Sequence, residues 1–204
     1  MKIWDNLIDD IGKLIPADVE CEIKMINSTE SLTRFANSHI HQNVEEESTD
    51  IFLTFHAYGK TTNLNLNITS MGSIEDIIKN ALSEIGNNPK DSTWPGLTSK
   101  ENSFKGYKDI SPDDPDIRAQ KVKEFIEQGQ TYNGAGYCSS NVSNVFVWNT
   151  NGLNSSDTAT SAFLDGIFRS ETSAGSSHMG NKILSDIDAQ KVGQEAFLIT
   201  KESQ

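Results

Sequence analysis

Two histidines in one short segment are the first candidates for metal chemistry. His39 and His41 alternate in a predicted strand, so their side chains project from the same face. Two imidazoles on one face form a possible partial metal site, which a carboxylate from residues 45–47 would extend. The alternative is that both histidines pack or hydrogen-bond at the sheet surface. Because the four histidines and two cysteines show no three-ligand spacing, we predict no metal and no cofactor on this chain.

The residues just before the histidines are candidates for binding a peptide or a protein partner. Arg34 is a fixed cation beside Phe35, and with Asn37 it is suited to hold a peptide's carboxylate or backbone. The alternative is structural, with Arg34 in a cross-strand pair and Asn37 in a turn contact. Asn37 and Ser38 also suit a β-bulge, which would redirect the following strand. The predicted peptide- or partner-binding set is therefore Arg34, Asn37, His39 and His41.

No catalytic residue is predicted. The Ser176-Ser177-His178 cluster lacks the Gly-x-Ser-x-Gly pattern of a nucleophile elbow, and a mobile loop is expected there. Gly134-x-Gly136 lacks the third glycine of a dinucleotide site, which favours a turn. Cys21 lies in an alternating strand where burial is expected. Cys138 has no histidine nearby in sequence, which leaves open a spatial pair with His178.

Composition excludes two classes of partner. The 204-residue chain has 29 acidic and 17 basic residues and a formal net charge of −12, so direct DNA binding is not expected. No apolar run approaches the roughly 20 residues that span a bilayer. Asp9 and Asp10 interrupt what would be the apolar region of a signal peptide. We therefore expect a cytoplasmic protein without a membrane partner.

Hydrophobic periodicity predicts an α+β fold in one domain, with an antiparallel sheet packed with helices on one side as a two-layer sandwich. Helices are predicted at 3–15, at 74–85 after a Ser73 cap, at 116–128 and from Asp188. Strands are predicted at 19–25, 32–42, 51–58, 63–68, 131–140, 143–149 and 158–170, with turns at 27–31 and 45–47. The last predicted elements are a long irregular loop at 87–114 and a flexible one at 175–180.

Three segments resemble the amino-terminal domain of the TldD/PmbA family, also called modulators of DNA gyrase. Residues 33–43 (TRFANSHIHQN) are similar to that family's R-F-A-N-x-x-I-H-Q-N strand. Residues 134–136 and 145–153 resemble its A-G and V-x-N-S-x-G-L hairpin. Asp186-Ile187-Asp188, with Gly193 and Ala196, resembles the helix that closes the family's amino-terminal part. The likeness covers nearly the whole chain in the family's order.

The resemblance implies intracellular peptide proteolysis. TldD-like members carry a His-Glu-x-x-x-His helix that binds zinc, and PmbA-like partners lack it. This motif belongs to a carboxy-terminal half that we expect to lie beyond residue 204. We therefore expect a non-catalytic domain for assembly and substrate enclosure, paired with itself or with a TldD/PmbA-type partner, and peptide substrates. A free-standing adaptor that binds peptides or partners through a sheet edge is the alternative, and so is an active enzyme if the polypeptide continues into the metal-binding half.

Overall fold

The computed structural model describes residues 2–67, 74–98 and 114–204, and only the backbone of residues 2–6. The predicted Ser73 cap and residues 99–113 of the predicted long loop lie outside the described residues. Residues 88–98 of that loop are irregular, as expected, apart from a bridge between Lys60 and Lys90.

The described chain has two groups of three consecutive strands, and helices come before, between and after them. In chain order they are α1 (Lys2–Leu14), β1 (Glu20–Ala36), β2 (His39–Ala57), β3 (Lys60–Asn67), α2 (Ile74–Glu84), α3 (Pro115–Glu127), β4 (Asn133–Asn149), β5 (Asn154–Arg169), β6 (Ala174–Asn181) and α4 (Ala189–Glu202). Short 3-10 turns lie at Ile85–Asn87 and Leu184–Asp186. The predicted positions of all four helices are confirmed to within a few residues.

The strands form one six-stranded sheet in the order β3-β2-β1-β4-β5-β6. Strands β1 to β3 and β4 to β6 are two meanders, joined where β1 lies beside β4. The amide of Thr150 donates to the carbonyl of Cys21, and that of Ser38 donates to the carbonyl of Gly134. One residue number rises as the other falls, so β1 and β4 are antiparallel. The predicted α+β architecture, helices packed on an antiparallel sheet, is confirmed.

The strands are longer and fewer than the sequence predicted. The polar run 27–31 does not turn the chain, because β1 continues through it. Its side chains bond to neighbouring strands: Asn27 Nδ2 donates to Thr49 Oγ1 at 3.0 Å, and Ser31 Oγ donates to Glu45 Oε2 at 3.0 Å. Residues 45–47 likewise lie inside β2. Both predicted turns are wrong, since cross-strand bonds satisfy the polar side chains without a turn.

Two glycine-containing segments that were predicted as a loop and a turn are strands. The segment 175–180 is strand β6, paired with β5, and not a loop. A Cβ added at Gly175 would lie 2.4 Å from the amide nitrogen of Thr200, so the glycine lets α4 approach β6 closely. Gly134 and Gly136 lie inside β4 rather than in a turn. Gly136 has φ +154°, and an added Cβ would lie 2.1 Å from the Asp165 carbonyl oxygen.

The chain divides into two compact units. The first comprises Met1–Asn27, Ser48–Gly106 and Asn144–Asp157. Its core joins Ile8 and Ile11 of α1 to alternate residues of β1 and β2 and to Ile78 of α2. Leu64 and Leu66 of β3 also pack on this core, while Asn63 and Asn65 on the other side of the strand are exposed. Trp94 is held by a 2.7 Å hydrogen bond from Nε1 to Glu20 Oε2 and by stacking on His56.

The second unit comprises Ser28–Glu47, Tyr107–Ser143 and Thr158–Gln204. Its core joins Phe35 of β1 and Cys138 of β4 to Val122 and Phe125 of α3 and to residues of β5 and α4. The rings of Phe35 and Phe125 are 5.4 Å apart, and those of Phe125 and Phe168 are 4.6 Å apart. Helix α3 begins at the cap Asp114, whose side chain accepts from the amide of Asp116, and α4 begins similarly at Asp188.

Candidate functional site

The family-like motif of residues 33–43 folds into the tip of the β1–β2 hairpin. Asn37 and Ser38 form its two-residue turn, with φ +51° and +60°. Positive φ at both central residues is the geometry of a type I′ hairpin turn, which asparagine tolerates well. The expected β-bulge is therefore wrong. The predicted 32–42 strand is also wrong, because its residues belong to two antiparallel strands.

The serine of the turn anchors the tip to the next strand. Ser38 donates its amide to the carbonyl of Gly134 at 2.8 Å, and its Oγ accepts from the amide of Gly134 at 3.0 Å. This two-way contact fixes the hairpin tip against the start of β4. The A-G segment of the resemblance thus lies beside the R-F-A-N segment in space.

The four predicted binding residues lie in the hairpin turn and in the two strands that flank it. Arg34 is exposed between Thr33 and Phe35, which are buried on the helix-covered face, so Arg34 lies on the opposite, helix-free face. His39 and His41 follow the turn at the start of β2, and both are exposed. The structure places Arg34 in β1 and the two histidines in β2, on either side of the turn.

His39, the first residue of β2, contacts the turn. Its Nδ1 lies 2.7 Å from the carbonyl oxygen of Asn37, so the protonated ring nitrogen donates to that oxygen. His39 also lines a groove of about 500 Å³ between the hairpin tip and α3. Two residues of the elements bordering the groove, Ile40 and Ile117, are large exposed hydrophobics. In the described ranges 2–67, 74–98 and 114–204, no group of three His, Cys, Asp or Glu residues is close enough to hold a metal ion.

A buried polar group beside the motif was not predicted. Arg118 of α3 is 1% exposed, and its Nη2 donates to Asn43 Oδ1 at 3.3 Å. The same oxygen accepts from Thr33 Oγ1 at 3.1 Å. Charged side chains are buried only when polar groups compensate them. The sequence offered one hint, since Arg118 stands one turn before Val122 on the core-facing stripe of α3.

The cysteines are not placed for catalysis. Cys21 and Cys138 are each 0% exposed, and burial raises the pKa of the Cys21 thiol to about 12. Cys138 belongs to the helix-covered core of the second unit, whereas His178 stacks on Phe163 at 5.6 Å on the opposite face. The open possibility of a Cys138–His178 pair is therefore wrong. His178 lies in β6, so the predicted loop cluster with Ser176 and Ser177 is a strand instead.

Solved structures with the same fold are known. No protein-family model and no curated protein matches the chain. A proposed modulator of a DNA gyrase from Thermotoga maritima matches 98% of this chain and 47% of its own, with TM-score 0.69 and 18% identity. TldE from Thermococcus kodakarensis matches 97% of this chain and 47% of its own, with TM-score 0.67 and 16% identity.

A third match is a proposed modulator of DNA gyrase from Bacteroides thetaiotaomicron. It covers 89% of this chain and 45% of its own, with TM-score 0.70 and 15% identity. The chain thus spans about half the length of the solved structures it resembles. At these identities the likeness shows a shared fold, and it confirms at that level the resemblance found in the sequence motifs.

Proposed function

We propose that this chain is the amino-terminal, non-catalytic domain of a TldD/PmbA-type peptidase system of the cytoplasm. Its role is assembly and the enclosure of peptide substrates. The observation that carries the proposal is the extent of the fold match, which takes in 98% of this chain and 47% of a solved structure. Almost every described element therefore belongs to an arrangement that the larger relatives also contain.

The side-chain chemistry supports a non-catalytic role. Amide hydrolysis near neutral pH requires an activated water or nucleophile together with stabilisation of the developing charge. A buried thiol whose pKa is raised to about 12 supplies almost no thiolate at pH 7. On the proposed role, the zinc chemistry is supplied by a metal-binding half of TldD type rather than by these residues.

Assembly is proposed to use the groove between the hairpin tip and α3, with a TldD/PmbA-type protein as the partner. Ile40 is 42% exposed beside this groove, and burying an exposed isoleucine is a favourable contribution to association. Asn37, His39 and His41 surround the same tip.

A cleavage assay tests the non-catalytic role. The purified chain is incubated with unstructured peptides, with and without added zinc, and the products are followed by mass. No cleavage is expected in either condition. Cleavage that survives a chelator but disappears in Cys138→Ala would overturn the proposal and identify a cysteine enzyme.

A paired substitution tests the assembly surface. Ile40→Asp is expected to weaken co-purification with a TldD-type protein of the same genome at least tenfold. Val44→Asp is the matched control, since Val44 is equally exposed on the same strand but does not line the groove. Equal effects of the two variants would move the interface away from the groove.

The second candidate is a free-standing adaptor that binds through a sheet edge. It is favoured by one edge of β2. In the described part of the chain β3 pairs only with residues 50–57, so no strand lies beside residues 39–49 on that edge. An open strand edge of this kind can accept an added strand. A stable monomer that binds peptides without any TldD-type protein would favour the adaptor.

A further inference from the structure

A second surface of the molecule has the composition of a ligand site. An open cleft of about 900 Å³ lies across β1, β4, β5 and the end of β6 in the second unit. Its lining is rich in hydroxyl and amide groups, with Glu30 and Lys182 as its two charged residues. It does not include the hairpin tip or the groove beside α3.

The cleft lies on the helix-free face of the sheet. In β1, Ser31 and Thr33 are buried toward the helices, so Glu30 and Leu32 project to the other side. The same alternation places Ser139 and Asn141 of β4 opposite the buried Cys138 and Ser140. In β5 it places Ser161 and Phe163 opposite the buried Ala162 and Leu164.

Aromatic rings border the cleft on one side. The ring of Phe163 lies 6.1 Å from that of Tyr137 and 5.6 Å from that of His178, so the three form a row across β4, β5 and β6. Beside this row Gly180 has no side chain to fill the cleft, and an added Cβ would lie 3.2 Å from Phe163 Cδ2. The result is an apolar wall next to the hydroxyls of Ser139 and Ser161.

We infer that this cleft binds a short extended peptide with free amino and carboxyl termini. Glu30 carries the negative charge for the peptide's ammonium group, and Lys182 carries the positive charge for its carboxylate. The hydroxyls of Ser139 and Ser161 both donate and accept, which matches the alternating groups of a peptide backbone. Leu32 and Phe163 give the peptide's side chains apolar contact.

Strand spacing sets the length of the ligand. Glu30 and Lys182 are separated by three steps between neighbouring strands, or about 14 Å at roughly 4.8 Å a step. An extended chain advances about 3.3 Å per residue, so about four residues place their two termini at these charges. A tetrapeptide is therefore the expected size. This inference goes beyond the proposed function, because the cleft can bind peptide whether or not the chain joins a peptidase assembly.

Calorimetric titration of the whole chain with the tetrapeptide Ala-Phe-Ala-Ala tests the inference. Binding is expected, and it should weaken at least tenfold when both termini are blocked by acetyl and amide groups. Charge reversal by Glu30→Lys or Lys182→Glu should weaken binding of the free peptide at least threefold. The double reversal should restore affinity, because the peptide can lie in the opposite direction.

Filling the cleft provides an independent readout. Ser161→Tyr places a ring over the floor and should lower affinity at least tenfold. Ser156→Tyr adds the same ring at an exposed position of β5 outside the cleft and should change affinity less than twofold. Thermal melting of both variants verifies folding. The absence of binding at a peptide concentration of about 10 mM, ten times a Kd of about 1 mM, would overturn the inference. So would equal affinity for the free and the blocked peptide, or for the two tyrosine variants.

Discussion

The buried polar residues of the second unit show how single side chains specify the motif. Arg118 and Thr33 converge on one amide oxygen of Asn43, so a residue from α3, one from β1 and one from β2 share a hydrogen-bonded group. Phe35 lies two residues from Thr33 on the same face and packs against Phe125 of α3. The motif resembling the TldD/PmbA strand therefore carries both a polar and an aromatic contact to the same helix.

Phe35→Ala is expected to lower the free energy of unfolding by about 3–5 kcal/mol, the range for truncating a buried aromatic side chain. Phe35 is 2% exposed and its ring contacts Phe125. Urea denaturation followed by circular dichroism measures the change. Leu198→Ala is the control, because Leu198 of α4 is 50% exposed and its loss should cost less than about 1 kcal/mol. Similar losses in the two variants would place Phe35 at the surface.

The thiol of Cys21 predicts a pH dependence of stability. Burial raises its pKa from the ordinary 9.0 to about 12. Between these values the unfolded chain loses the proton while the folded chain keeps it, so folding is favoured fully below pH 9 and less as the pH rises. Urea midpoints at pH 8 to 11 should fall more steeply for the native chain than for Cys21→Ala. Parallel curves would mean that the thiol is accessible.

At the scale of elements, the hairpin turn is the feature on which the motif depends. Asn37 and Ser38 both have positive φ, so the strands on either side pair directly without extra residues. The turn therefore sets the register in which the residues of the motif face each other across the hairpin.

Asn37→Gly should leave stability within about 0.5 kcal/mol, whereas Asn37→Val should lower it by about 1–2 kcal/mol, because a β-branched residue is strained at positive φ. Thermal denaturation of both variants measures the difference. Equal stabilities would show that this turn relaxes to another conformation at little cost.

The sequence predicts the helices well because their apolar periodicity and caps are local. Pro16, Asp188 and the 3.6-residue stripe of α3 each act within one turn of chain, and the predicted bounds were correct to within a few residues. Strand ends were predicted poorly. Asn27, Ser31 and the acidic residues 45–47 have the composition of turns, and only partners far along the chain keep them in strands.

The candidate site was predictable only in part. The segment 33–43 stood out in the sequence as a candidate, and the burial of Cys21 followed from alternation. The turn at Asn37 and Ser38 was not foreseen, because the same two residues also suit the bulge that the sequence suggested. Arg118 could not be connected to this motif, because 75 residues separate it from Asn43.

In the whole molecule, each of the two units has its own hydrophobic core. The long strands β1, β2, β4 and β5 each have residues in both units. No helix in the described part of the chain is long and apolar enough to cross a membrane. With a net charge of −12, the chain is also a poor ligand for nucleic acid. Protein and peptide partners are the classes that its charge and its two surfaces favour.

Reconstitution with a TldD-type protein tests whether this chain is the non-catalytic domain of a peptidase system. The chain is mixed with a protein of the same genome that carries the His-Glu-x-x-x-His helix, and peptide hydrolysis and complex mass are measured together. We expect no hydrolysis by this chain alone, a complex of defined stoichiometry, and hydrolysis by that complex that a chelator abolishes. Hydrolysis by this chain alone, or the absence of any complex while both proteins are folded, would contradict it.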